Sequence, residues 1–284
     1  MSSTPFGVRL ASSVATRGAL CVGIDPHPGL LAAWGLADDV SGLSHFASTV
    51  VTALAGEVAV LKPQSAFFER HGAAGVAVLE QTIRAARSAG ALVLLDVKRG
   101  DIDTTAQAYA DAYLRADAPM AADAITVSPY LGFGSLRPFL DTARAAGAGV
   151  FVLALTSNPE GATVQNARYV TEDVGGGSIS TTVAAAILAG VRAENAGDPM
   201  GSVGVVVGAT IESPRVDLDV NGPLLVPGLG AQGGTASDVT RLFADVRQHV
   251  LPSVSRSVLS AGPDVSALRD AARSELEALT RSQA

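Results

Sequence analysis

Two lysines and several carboxylates stand where they could act together. The segment Asp96-Val97-Lys98-Arg99-Gly100-Asp101-Ile102-Asp103-Thr104-Thr105 closes one apolar run, and Lys62 closes the run before it. Strand alternation places Leu92, Leu94, Asp96 and Lys98 on one face and Val93, Leu95 and Val97 on the other. Val58, Val60 and Lys62 share a face by the same rule. If the two strands are neighbours, Lys62, Asp96 and Lys98 meet at the strand ends, with Asp96 and Lys98 about 7 Å apart along the chain direction. Buried ions are costly unless opposite charges interleave. Interleaved, they hold each lysine protonated and each aspartate ionised. A protonated amine fixed in this way can stabilise developing negative charge and then deliver a proton. An Asp-x-Lys pair by itself also reads as a salt bridge, with Asp101 or Asp103 capping the next helix. The second lysine favours a site.

A second group suits an anion. Pro227-Gly228-Leu229-Gly230-Ala231-Gln232-Gly233-Gly234-Thr235 follows one apolar run and Arg256 follows the last. Glycines let backbone N–H groups approach oxygen anions, a helix start adds its positive dipole end, and arginine offers a two-pronged contact. Taken singly, these are a glycine-rich turn and a surface arginine. Asp25 and Thr156-Ser157 also close apolar runs. His27, His45, His71 and His249 form no metal-ligand pattern; His27, after Asp25-Pro26, could approach the pocket but reads rather as a solvated loop residue. No Gly-x-Ser-x-Gly elbow, Walker loop or Rossmann spacing occurs. The site that can be assembled uses lysine, aspartate and anion binders, with no metal and no cofactor expected.

These residues need elements to carry them. Apolar runs recur at Leu20–Ile24, Val58–Leu61, Leu92–Val97, Ala124–Val127, Val150–Leu155, Val203–Val207, Leu224–Val226 and Val250–Val254. Helix-periodic segments lie between most of them, at Leu43–Ala55, Ala73–Ala89, Ile102–Ala116, Ser135–Ala146, Ser180–Ala196 and Ala236–Arg247. A last helix is expected over about 265–280, and the stretch Glu212–Val220 is weak, with room for a short helix. Strands alternating with helices predict an α/β protein with a parallel sheet. About eight units in this length predict one (β/α)8 TIM barrel over residues 1–284, with an open doubly wound sheet as the alternative. In a barrel every strand end named above lies on the one face where active sites are built, and the loops after strands seven and eight often hold phosphate. Ser157–Gly161 continuing to Gly175–Gly177, and Pro227–Gly234, read as long mobile loops.

Composition supports this. Of 284 residues, 48% are hydrophobic and 17% charged, enough for a large core and against disorder. A formal net charge of −7 argues against nucleic acid or an anionic membrane as partner. The single cysteine, Cys21, fits a reducing, cytoplasmic setting. Met1 to Leu10 shows no signal-peptide pattern, and no apolar run is long enough to span a bilayer.

The motifs Asp96-x-Lys98-x-x-Asp101-Ile102, Lys62 on the preceding strand and Asp25 on the first resemble the signature of the orotidine 5′-phosphate decarboxylases. Thr156-Ser157-Asn158-Pro159-Glu160-Gly161 and the Pro227–Gly234 loop resemble the family's longer bacterial branch, including the actinobacterial enzymes. The likeness runs from about Gly18 to Gly262. It implies a cytoplasmic, cofactor-free carboxy-lyase that converts orotidine 5′-phosphate to UMP in de novo pyrimidine synthesis. It implies an alternating charge network of Lys62, Asp96, Lys98 and Asp101, with Lys98 stabilising a C6 carbanion and donating the proton. It implies a homodimer in which Asp101, Ile102 and Thr105 reach the partner's site. Asp25 and Lys62 match ribose contacts, Ser157 a pyrimidine contact, and Gln232 and Arg256 the phosphate grip. Two departures stand out: Asp103-Thr104 where many relatives have Pro-Asn, and Ser255 where relatives often have glycine. A related sugar-phosphate decarboxylase shares Asp-x-Lys-x-x-Asp but carries an acidic metal ligand at the end of strand two, where this chain has Leu61-Lys62-Pro63. A nucleotide-binding or regulatory barrel without catalysis is a second alternative; a third, a purely structural protein, explains neither the charges at the strand ends nor the glycine loop.

Overall fold

In the computed structural model, which describes residues 4–172, 178–211, 215–230 and 233–282, the apolar runs become strands. They are β1 (Cys21–Ile24), β2 (Val60–Pro63), β3 (Leu92–Arg99), β4 (Ala124–Val127) and β5 (Gly149–Leu155). After a hairpin of β6 (Arg168–Glu172) and β7 (Ser178–Thr182) come β8 (Val203–Val207), β9 (Leu224–Val226) and β10 (Val250–Val254). The eight barrel strands pair in parallel, and β1 pairs with both β2 and β10, so the sheet closes on itself. This is the (β/α)8 barrel; the open doubly wound sheet is excluded.

The helices Val40–Leu54, Gly72–Ser88, Asp103–Leu114, Arg137–Ala146, Val183–Glu194 and Val265–Arg281 fall within a turn of the periodic segments. Their starts have local causes. Asp39 and Asp264 each accept a hydrogen bond from the backbone N–H three residues on, Gly42 and Ala267, at 2.8 Å. Thr182 does the same for Ala185 at 3.1 Å. That cap moves the helix start from the expected Ser180 to Val183, because Ser180 is paired in β7. The expected helix Ala236–Arg247 divides into an α-helix, Ala236–Leu242, and a 3-10 turn, Ala244–His249, with Val246 off helical geometry.

Two apolar layers hold the fold. Outward-facing Val93, Leu95 and Val97 pack under the helices, and inward-facing Leu94 packs inside the barrel with Val60, Ala124, Phe151, Val206, Leu225 and Leu251. Val58 precedes β2 and joins the outer layer, so it does not share the inward face of Lys62. A helix that the periodic reading did not include, Phe6–Arg17, sends Phe6 and Leu10 into the inner cluster. Phe6 meets Phe151 edge-on at 5.9 Å between ring centres. Gly149 makes room for it, since a Cβ there would lie 2.4 Å from the Phe6 ring.

Both loops read as mobile carry regular contacts among the described residues. The stretch after Ser157 holds a short helix, Gly161–Gln165, and the β6–β7 hairpin, because Tyr169–Thr171 find cross-strand partners in Ile179–Thr181. Gly175–Gly177 lie outside the described residues. In the Pro227–Gly234 loop, Gly230 N–H donates to Gly234 O at 2.9 Å and Gly234 N–H to Gly228 O at 3.0 Å. The described part of Glu212–Val220 carries no helix.

Candidate active site

The C-terminal ends of β1, β2, β3, β5 and β10 bring Asp25, Lys62, Asp96, Lys98, Ser157 and Arg256 around one cavity of about 390 Å³. Its floor is a row of charge. Lys62 Nζ lies 3.0 Å from Asp96 Oδ2, and Lys98 Nζ lies 2.7 Å from Asp96 Oδ1. Lys62 and Asp96 are buried, while Lys98 opens onto the cavity. Thr126 on β4, next to β3, donates to Asp96 Oδ1 at 2.7 Å and accepts from the Lys98 backbone N–H at 2.9 Å. Behind the floor, Arg99 pairs with Glu69 at 2.6 Å, which anchors the outer side of the β3 end.

Burial and charge oppose each other here. Burial would push the Asp96 carboxyl up, but Lys62 and Lys98, with hydrogen bonds from Lys98 and Thr126, hold it well below the usual carboxylate range. Burial would drive the Lys62 ammonium toward neutrality, yet Asp96 and Asp25 raise its pKa above the ordinary lysine value. Beneath them in the barrel, burial pushes the Cys21 thiol up to about 12. The floor therefore carries fixed ions.

The walls are prepared for a polar guest. Asp25 Oδ1 and Ser255 Oγ are buried without a hydrogen-bond partner among the described residues. Both residues flank Gly23, where a Cβ would stand 2.9 Å from Asp25 Oδ2 and 3.0 Å from Ser255 Cβ. Arg256 is exposed at the start of its short helix, and among the described residues no carboxylate pairs with it. Gly228, at φ 102°, brings its backbone to the same wall in a conformation that other residues avoid. Ser157 sits against Gly208, where a Cβ would approach its backbone nitrogen to 2.9 Å. Gln165 braces this turn by accepting from Thr156 N–H at 3.0 Å.

Other expected residues lie apart from this cavity. Asp101 accepts from Ile102 N–H at 2.8 Å, and neither Asp101 nor Asp103 caps the helix that starts at Asp103, whose N-cap is Ile102. Ile102 is 53% exposed and Thr105 is exposed, so within one chain these residues do not join the charge row. Gln232 lies outside the described residues. His27 corrects the solvated-loop reading: it lines the cavity and packs on Phe67 with ring centres 4.2 Å apart. Burial lowers its pKa; Asp25 opposes this and Arg256 adds to it. Thr126, Gln64 and Ser253 are polar groups of the cavity lining that sequence reading did not name. A threonine alternating with Ala124 on an otherwise apolar strand was the available signal for the first.

Among the described residues no group of three or more His, Cys, Asp or Glu side chains is placed to hold a metal ion. No helix among them is long and apolar enough to cross a membrane.

The chain was compared with known proteins. Residues 18–271 match the model of the orotidine 5′-phosphate decarboxylase / HUMPS family. The chain is 60% identical over 270 residues to an orotidine 5′-phosphate decarboxylase of Streptomyces coelicolor, covering 94% of each chain. It is 62% identical over 269 residues to one of Salinispora arenicola, again covering 94% of each. A crystal structure of a candidate orotidine 5′-phosphate decarboxylase from Streptomyces avermitilis superposes with a TM-score of 0.93 at 57% identity, covering 100% of this chain and 97% of that one. The Leishmania donovani OMP decarboxylase structure gives 0.75 at 30% identity, with 99% of each chain covered. The barrel, the lysine–aspartate row and these likenesses agree: the chain is a carboxy-lyase belonging to the orotidine 5′-phosphate decarboxylase / HUMPS family.

Proposed function

We propose that the chain decarboxylates orotidine 5′-phosphate to UMP in de novo pyrimidine synthesis in the cytoplasm, without a metal or organic cofactor. The observation that carries this reading is the row Lys62–Asp96–Lys98 on the cavity floor. When the bond from C6 to the carboxylate breaks, CO2 leaves and the electron pair stays on C6, in the plane of the ring. Lys98, as an ammonium, faces that carbon, stabilises the pair electrostatically and transfers one proton to it. Asp96 stands near the departing carboxylate and, itself braced by Lys62, holds Lys98 in place.

The remaining contacts follow the cavity. Asp25 and Lys62 hold ribose hydroxyls, and the unpartnered oxygen of Asp25 supports this assignment. Ser157 meets the pyrimidine, and Arg256 with Gln232 grips the phosphate. Binding energy from the distant phosphate closes the site and expels water. The enzyme acts as a homodimer, with Asp101, Ile102 and Thr105 entering the partner's site. The exposure of Ile102, Tyr130 and Leu131, on the segments that follow β3 and β4, supports this.

The family also includes sugar-phosphate enzymes, and Lys62 argues against them. It occupies the strand-two end where they carry an acidic metal ligand, and its ammonium is committed to Asp96. The test is the spectrophotometric loss of orotidine 5′-phosphate after EDTA treatment. Turnover should survive EDTA. Lys98→Ala should lose at least about 10³-fold in kcat, within the range that acid–base catalysis supplies, while still binding UMP. Near-normal turnover by Lys98→Ala defeats the proton-donor assignment. Loss of activity to EDTA points to a metal-dependent relative, and UMP binding without CO2 release to a non-catalytic barrel.

A further inference from the structure

Lys98 has a backbone that lysine seldom adopts. Its φ is +45°, in the left-handed region where a Cβ crowds the carbonyl oxygen. Such residues persist at functional sites only when their surroundings over-determine them. The β3–β4 register shows the origin of the strain. Leu95 pairs with Ile125 and Arg99 pairs with Val127, so Asp96, Val97 and Lys98 together oppose the single residue Thr126. This bulge leaves the Lys98 N–H without a backbone carbonyl on β4, and re-aims its side chain.

The Thr126 hydroxyl takes over that function. It accepts from Lys98 N–H at 2.9 Å and donates its one proton to Asp96 Oδ1 at 2.7 Å. Asp96 Oδ1 also accepts from Lys98 Nζ at 2.7 Å. The contacts form a ring that begins at the backbone of Lys98 and ends at its amine. Thr126 is 1% exposed, so water has little access to replace it. Because the hydroxyl proton is committed to the carboxylate, its lone pairs face the amide, and the polarity of the ring is fixed.

We propose that Thr126 is a positioning residue for Lys98: its hydroxyl clamps the left-handed backbone and the amine of Lys98 onto one oxygen of Asp96, aiming the ammonium into the cavity. This rests on the assignment of Lys98 made above. Thr126 does not touch the reacting atoms, so removing its hydroxyl should lower kcat far more than it weakens nucleotide binding.

The test measures kcat and KM for orotidine 5′-phosphate, and UMP affinity by calorimetry, in Thr126→Val, Thr126→Ala, Thr126→Ser and Lys98→Ala beside the unaltered chain. Valine keeps the shape and alanine avoids setting a methyl group against the Asp96 carboxylate, so either one suffices if the other does not accumulate. Both should lose on the order of 100-fold in kcat, the loss expected from a misplacement of about 1 Å, with UMP affinity changed less than about 3-fold. Serine, which keeps the hydroxyl, should recover most of kcat. Three results overturn the proposal: kcat unchanged in the hydroxyl-free variants, serine as impaired as valine, or UMP affinity falling in step with kcat. If Lys98→Ala itself turns over normally, the assignment of Lys98 fails and takes this one with it; that arm separates the two failures.

Discussion

Asp96 has both carboxylate oxygens committed inside the protein, one to Lys62 and one to Lys98 and Thr126. Its pKa is depressed, so it contributes stability that is present above the ordinary carboxylate value and is lost as pH falls through its lower folded value. The Lys62 pKa is raised, so its contribution is complete below the ordinary lysine value and is lost as pH rises through its folded value. Between those limits the pair is ionised and intact. Lys62→Met strips one cation from a buried carboxylate, and breaking such a pair costs about 3–5 kcal/mol. Denaturation followed across the acid range should show lower stability and an acid transition moved to higher pH, because the Asp96 pKa relaxes upward. An unchanged acid transition would mean that Lys98 and Thr126 alone hold the carboxylate ionised.

Among the elements, the helix Phe6–Arg17 closes the end of the barrel opposite the cavity. Phe6 is fully buried against Phe151, and Arg9 reaches from the same helix to Asp123 and to the carbonyl of Gly147 at 3.0 Å. Phe6→Ala should lower unfolding stability by about 3–5 kcal/mol in a urea titration while leaving KM unaltered, because the void forms far from the substrate. This helix was not legible in the sequence. What fixes it is the open bottom of a closed barrel, a tertiary fact that periodicity does not carry. The strands were legible because β1 through β5 and β8 through β10 are apolar runs bounded by turn residues, and the inward face of β3 followed from alternation alone. Thr126 was not, because its importance comes from the bulge on β3 opposite it. The β6–β7 hairpin escaped for another reason: its strands are short, mostly polar and exposed, and pair with each other outside the barrel.

At the level of the whole molecule, the chain carries a net charge of −7, so an anionic substrate is drawn in only where cations cluster locally. Lys62, Lys98 and Arg256 form such a cluster at the cavity. The proposed exchange of Asp101 between subunits makes a quantitative statement about assembly. Lys98→Ala and Asp101→Ala homodimers should each be nearly inactive. Co-refolded in equal amounts, they should regain about one quarter of normal activity, because about half of the dimers are mixed and each mixed dimer has one site free of both substitutions. No recovery would place Asp101 in its own subunit's function. The buried Cys21 makes that assembly observable. Its thiol, pushed up to about 12 and sealed inside the barrel, is a poor target for maleimides near neutral pH. The molecule thus offers a silent background for labelling: a dye attached through Val164→Cys, exposed on the short helix after β5, would report from one chosen spot per subunit, and two dyes brought close in solution would show whether the mouths of two barrels face each other.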